Sequence, residues 1–427
     1  MSAPPIQRML ADFSEHGVAR TESARQALAT VLALGLPTAR DENWKYASLR
    51  QLERVHFGAS PRSAADTLQR VAELLPPLLD DYARLLFVDG RLVSPPLLDM
   101  MPAGLLQGPP GASAPLLPET LDRDADQRFA AINRAFAPDP QRLTVESGAR
   151  VRLEIICVAT LPAETATAHP SIEIEVRPGG GLSLVERHLS TADIATFTNS
   201  WMRIKLGPSA TCRHYRSQLQ SARSHFLQTL AITQEADSDY WICSVEAGAA
   251  TSRLTANAQL AGRDARLAWQ SVAVGETTQV NDTAVRIEHT AAGTRTHQMF
   301  RGISNDRSRL AFNGHMIVRA EAPGAIVEQS LRSLLAGPES EADLRPQLEI
   351  YTDQVKASHG ATAGKLDEQM AFYLASRGLD PATAQALLKW AFVGDVLSHI
   401  DLLPIRVEAE RAVAGRLRGL DVPGETR

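Results

Sequence analysis

Two periods divide the chain. Between residues 21 and 34 the apolar positions Ala24, Ala27, Leu28, Val31 and Leu32 recur at spacings of three and four, which places them on one face of a helix. Gly35 and Pro37 follow and supply a stop. Residues 66–79 repeat the pattern through Leu68, Val71, Leu74 and Leu75. Between these segments lies Asp41-Glu42-Asn43-Trp44-Lys45-Tyr46, polar with two aromatics. Prolines and glycines crowd residues 95–118, predicting a loop or linker. A short helix is predicted over 126–136.

From about residue 143 to 353 the helical period gives way to short alternating runs. They include Val151-Arg152-Leu153-Glu154-Ile155, Ile172-Glu173-Ile174-Glu175-Val176, Met202-Arg203-Ile204-Lys205-Leu206, Val285-Arg286-Ile287 and Met316-Ile317-Val318, with further strands over 226–232, 240–245 and 267–274. Alternation turns one row of side chains inward and the other outward. Such a zone is a sandwich, a barrel or propeller, or a β-helix. Strands of four to six residues, single Gly, Asn or Asp connectors (Gly262, Gly275, Asn281, Gly293) and only two hairpin-like pairs, Asp89-Gly90 and Asn313-Gly314, favour the β-helix. The pattern alone leaves the sandwich open.

Helical spacing returns at Lys365. Asp367 is placed to cap a helix that stops at Gly378, and Asp380-Pro381 is a cap followed by a first-turn proline. The next helix presents Ala384, Leu387, Leu388, Ala391, Phe392 and Val396, and Leu402-Leu403-Pro404 ends it. A charged third helix is predicted over 405–417, with a frayed tail over 421–427. The mainly β chain is thus divided into an N-terminal helical region with its linker (1–140), a β core (141–360) and a C-terminal helical domain (361–427).

The 427 residues carry a net charge of −5, with 44% hydrophobic, 22% charged and 5% aromatic residues. That composition excludes a disordered chain or a membrane bundle. The lack of a basic excess speaks against nucleic-acid binding. No apolar run reaches 18 residues, so no membrane association and a cytoplasmic location are expected. Cys157, Cys212 and Cys243 form no CxxC pair, and they read as small buried residues in a reducing compartment. Gly360-Ala-Thr-Ala-Gly364-Lys365 is one residue short of a P-loop, and Leu366 stands where a Ser or Thr would meet Mg²⁺; no nucleotide of the chain's own is expected. Gly179-Gly180-Gly181 reads as a turn. His188, His214, His225, His289, His297 and His315 are scattered through the strand zone as solvent-facing or hydrogen-bonded residues. His359 differs, because it is placed where the last strand, over 347–355, meets the helical zone, with Gly360 leaving room beside it.

The run from Tyr351 to Glu368, Tyr-Thr-Asp-Gln-Val-Lys-Ala-Ser-His359-Gly-Ala-Thr-Ala-Gly-Lys-Leu-Asp-Glu, resembles the signature of the SufB/SufD family, scaffold subunits of the SUF iron–sulfur cluster assembly machine. Phe372-Tyr-Leu-Ala-Ser-Arg-Gly-Leu379, Arg301-Gly-Ile303, Pro346-Gln-Leu-Glu-Ile350 and Asp41-Glu-Asn-Trp-Lys-Tyr46 extend the resemblance over most of the chain. The Trp-Lys-Tyr and Ser-His-Gly-Ala-Thr motifs point to the SufD branch.

The resemblance implies a right-handed parallel β-helix core flanked by N- and C-terminal α-helical domains. It implies a non-catalytic scaffold that supports iron entry and nascent cluster formation at its interface with a SufB-like partner, and a SufC-like ABC ATPase docked on the C-terminal helices. His359 matches the family histidine proposed to bind iron or the nascent cluster, and Leu388, Phe392 and Asp395 fall in the docking region. Transient iron or an iron–sulfur cluster shared with the partner is the implied cofactor. Many relatives carry Cys two positions before this histidine; here it is Ala357, so thiolates are expected from the partner. Two other readings stand beside this one: a structural homodimer, also the form expected when the chain is alone, and a β-helix carbohydrate-active enzyme.

Overall fold

The computed structural model describes residues 21–38, 63–93, 102–108, 126–191 and 194–417, with isolated positions ahead of residue 61. The N-terminal part comprises α1 (Glu22–Leu34), α2 (Ala65–Leu74), β1 (Ala83–Val88), β2 (Arg91–Leu92), β3 (Leu105–Gln107) and α3 (Arg128–Phe136). Sixteen strands follow: β4 (Gln141–Val145), β5 (Arg150–Ala159), β6 (Ser171–Val176), β7 (Gly181–Ser190), β8 (Phe197–Leu206), β9 (Thr211–Gln218), β10 (His225–Gln234), β11 (Asp239–Glu246), β12 (Thr251–Leu260), β13 (Arg266–Gly275), β14 (Val280–His289), β15 (Arg295–Ser304), β16 (Arg309–Val318), β17 (Ala325–Leu335), β18 (Glu341–Ile350) and β19 (Val355–Gly364). The chain continues into α4 (Glu368–Ser376), α5 (Pro381–Leu397) and α6 (Leu403–Ala414).

The molecule is mainly β, 45% strand against 21% helix, and its strands wind into a parallel solenoid of about 8 turns. Odd strands from β5 to β19 stack in one sheet and even strands from β4 to β18 in the other. Each coil adds one strand to each sheet. Thr251, Val280 and Arg309 open in-register neighbours 29 residues apart. In-register parallel stacking keeps paired residues on the same side of the sheet, so inward rows such as Ile155, Leu184, Ile204, Leu230, Leu254, Val285, Phe312 and Val327 merge into one buried core.

Several corners between the sheets hold a non-glycine residue at positive φ: Ser209, Asp237, Asp264, Thr277 and Asp306. A short polar side chain lowers the cost of this left-handed backbone. Asn281, predicted as a connector, instead lies inside β14, and Gly275 ends β13. Asp89-Gly90 does turn a hairpin, pairing Val88 with Arg91, whereas Asn313-Gly314 lies mid-strand in β16. The strands are mostly ten residues long, not four to six. The predicted linker contains β3, which pairs antiparallel with β4; the rest of 95–118 lies outside the described residues except 102–104 and 108. The tail over 421–427 also lies outside them.

The helices cover the solenoid unequally. Ala27, Leu28 and Val31 of α1 pack with Phe129, Ile132 and Phe136 of α3, joined by Trp44 and Phe57. Thr21 caps α1, its hydroxyl accepting from the Ala24 N–H at 3.2 Å. The C-terminal helices fold back over the outer face of the odd-strand sheet. Val393, Val396 and Leu397 of α5, with Ile405, Ala409 and Val413 of α6, close over Val185, Trp241, Val272 and Ile303.

Candidate functional site

The two ends of the solenoid differ. At the start, β2 and β3 lie antiparallel against β1 and β4 and close both sheets. At the finish, β18 and β19 are the terminal strands, and among the described residues no strand pairs with their outer edges. No residue of either strand is buried. Their free N–H and C=O groups form an open template for another strand.

His359 stands at the centre of β19 and is exposed. This corrects the predicted junction: the strand expected over 347–355 is two strands, β18 ending at Ile350 and β19 beginning at Val355. Ala357, Ser358, Gly360 and Ala361 surround the histidine with small side chains. A Cβ built on Gly360 would meet nothing within 4 Å, so the glycine answers no steric need within this chain. The incomplete P-loop is the end of β19 and its exit toward α4.

Beyond β19, α4 is capped by Asp367, whose carboxylate accepts from the N–H groups of Gln369 at 2.9 Å and Met370 at 3.2 Å. None of its residues is buried; Phe372 is 76% exposed and Tyr373 51%. A helix with no buried residue and large exposed apolar side chains is unusual for a surface that faces only water. The sequence reading placed partner contacts on α5 instead. There Phe392 is half-buried against the sheet, with the Arg301 guanidinium 6.0 Å above its ring. Asp395 faces the same guanidinium, 3.7 Å from Nη2. Leu388 is half-buried. Phe392 and Asp395 therefore help to seat α5 on β15, and no hydrogen bond, ion pair or ring contact joins either of them, or Leu388, to His359.

The cysteines lie elsewhere. Cys157, Cys212 and Cys243 are all buried, with free thiols. Burial pushes the Cys243 thiol up to about 12 and raises the other two strongly as well. Thiols held protonated in this way are poor nucleophiles and poor metal ligands. Among the described residues no three His, Cys, Asp or Glu side chains gather as a metal-holding set. His359 is thus a single donor on an open edge.

A polar cluster inside the solenoid escaped the sequence reading. The Glu186 carboxylate is bonded to His188 Nε2 at 2.8 Å and His214 Nε2 at 3.0 Å, and it accepts from Gln228 Nε2 at 2.6 Å. Arg216 donates to Gln228, Ser244 and Glu246. Burial pushes the Glu186 carboxyl up, but the two histidines outweigh it and hold the group well below the usual carboxylate range. Alternation in β7 and β9 was the available signal, masked because the inward positions are polar.

Comparison with known proteins now bears on this architecture. Residues 159–392 match a family model described as "SUF system FeS cluster assembly, SufBD core domain", more than half of the chain. The chain belongs to the SufBD family. It is similar to the iron–sulfur cluster assembly protein SufD of Escherichia coli, 29% identical over 95% of both chains. A SufBD family protein of Synechocystis is 25% identical over 92% of this chain and 90% of its own. The chloroplastic protein ABCI7 of Arabidopsis thaliana is 25% identical over 91% and 84%. The SufBD match covers the solenoid from the end of β5, the His359 strand and most of α5. No described helix is long and apolar enough to cross a membrane.

Proposed function

We propose that this SufBD protein is a non-catalytic scaffold in the cytoplasm that completes an iron–sulfur assembly site together with a SufB-like subunit. The observation that carries the reading is the open end of the solenoid, where an exposed histidine sits on a strand with a free edge. A partner strand added to that edge would bring its own side chains beside His359. A neutral imidazole is a suitable donor to iron. One imidazole cannot hold a cluster alone, so the remaining ligands come from the partner, and iron and sulfide pass through as cargo.

The exposed α4 and the outer surface of α5 form the docking region for a SufC-like ABC ATPase. Leu388 and the exposed part of Asp395 take part, while Phe392 acts mainly by holding α5 in place. Nucleotide binding on the ATPase would act on this chain through α5 and α6, which lie on the sheet that ends in β19. The domain division at 1–140, 141–360 and 361–427 belongs to the same reading, with the core extended to Gly364 so that β19 stays whole.

An anaerobic affinity purification from the native host, followed by mass spectrometry, tests the assembly. Recovery of an ABC-type ATPase and a second, cysteine-bearing SufBD subunit is the expected result. Recovery of this chain alone or as a homodimer, in a preparation that preserves known weak complexes, would overturn the scaffold role.

A further inference from the structure

The row of inward side chains that ends at His359 contains a ladder of two amides, Gln298 and Gln329. Trp269, Gln298, Gln329 and His359 occupy one register position on β13, β15, β17 and β19. The neighbours of Gln329 along its strand, Val327 and Leu331, are fully buried, and Gln329 itself is 4% exposed. Gln329 therefore points into the solenoid, and His359, in register with it, points to the same side.

The Gln329 amide is held in one orientation. Its Nε2 donates to Gln298 Oε1 at 2.5 Å and to the Gly314 carbonyl oxygen at 3.1 Å. Both amide hydrogens are used, and the Gly314 contact requires the nitrogen on that side. A Cβ at Gly314 would run into the Gln329 amide nitrogen and Gln298 Oε1, so the glycine keeps the space the ladder needs. In a planar amide that donates toward one neighbouring strand, the carbonyl oxygen faces the opposite one. For Gln329 that is β19. Its Oε1 is buried and has no hydrogen-bond partner. Among the described residues the exposed His359 ring makes no hydrogen bond either.

We propose that Gln329 is a positioning residue for His359: its unpaired Oε1 accepts a ring N–H and leaves the other ring nitrogen, with its lone pair, facing the open edge. The bond requires the exposed side chain to rotate about its two bonds until the ring meets the oxygen. A second partner that fixes the tautomer and aim of a ligating imidazole is a general feature of metal-binding histidines. The buried ladder behind Gln329 keeps that partner from turning away. The role of the lone pair rests on the reading of His359 as an iron donor; the hydrogen bond does not.

The test is ¹⁵N spectroscopy of the histidine side chains in the full-length chain, above pH 8, with the His359 signals assigned by their loss in His359→Asn. In the unmodified protein one His359 nitrogen is expected to be protonated and the other not, as a single tautomer. In Gln329→Met, checked for folding by its thermal transition, the two tautomers are expected to mix as in free imidazole. A tautomer mixture in the unmodified chain, or signals unchanged in a folded Gln329→Met, overturns the proposal. Iron loading of the reconstituted complex separates the two readings. Gln329→Met should lower it several-fold. Normal loading of His359→Ala would remove the ligand reading and leave the hydrogen bond standing; loading that needs His359 but ignores Gln329→Met would remove the positioning role alone.

Discussion

Arg187 of β7 and Glu408 of α6, 221 residues apart, share a two-point ion pair with Nε 2.9 Å and Nη2 2.7 Å from the carboxylate. The third guanidinium nitrogen of Arg187 pairs with Glu154 of β5. The arginine side chain is 2% exposed and Glu408 30%. A buried cation with two anionic partners tolerates the loss of neither well.

Glu408→Ala should loosen α6 from the sheet. A charge-assisted hydrogen bond contributes about 1.5–3 kcal/mol, and Glu154 retains part of the compensation, so a loss of about 2 kcal/mol is expected. Urea unfolding should show it, and hydrogen exchange should place the lost protection in α6. Unchanged exchange there would mean that the apolar contacts of Ile405 and Val413 hold the helix alone.

The fold should weaken in mild acid. Burial lowers His289 to about 4 and His169 to about 3. The Thr294 hydroxyl already donates to the Ala291 carbonyl at 3.0 Å, so it accepts from His289 Nδ1–H at 2.8 Å, and Thr296 donates to Nε2 at 2.9 Å. The folded state thus holds a neutral ring with both nitrogens satisfied. An unfolded histidine titrates near 6.5. Below that pH the unfolded chain binds more protons, and stability falls until the folded value is reached. Each ring contributes a slope of up to about 1.4 kcal/mol per pH unit between pH 6.5 and 4. Urea midpoints at pH 7.5, 6.0 and 5.0 should decline, and His289→Asn should decline less steeply. Equal slopes would place the acid sensitivity elsewhere.

Phe372 separates docking from folding. It is 76% exposed on a helix with no buried residue, so Phe372→Ser should change stability by less than about 0.5 kcal/mol. Under the proposed function it should sharply reduce recovery of the ATPase in a pull-down. Full recovery would move the docking face away from α4.

Much of this architecture was legible where side-chain pattern and backbone need coincide. Asp367 and Asp380-Pro381 cap the helices they were expected to cap. Strands such as β6 were found because Ile172, Ile174 and Val176 alternate with glutamates. Three strands were missed because inward positions are polar: Glu186 and His188 in β7, His214 and Arg216 in β9, Gln298 in β15. A solenoid interior that satisfies polar groups internally erases the hydrophobic alternation that marks a strand. β19 was hidden for a different reason. As a terminal strand it carries Ala, Ser, Gly and Thr with no buried row, so His359 looked like a junction residue. Periodicity does not divide the roles of Phe392, since one helix face can serve both internal packing, where it is half-buried, and docking.

The central claim is that His359 on the open edge completes a shared assembly site. It is tested most directly by anaerobic reconstitution of the complex with the unmodified chain and with His359→Ala, measuring iron and acid-labile sulfide per complex beside native mass spectrometry of subunit composition. Strongly reduced iron and sulfide in an intact His359→Ala complex is the predicted result. Full loading of that intact complex would contradict the account.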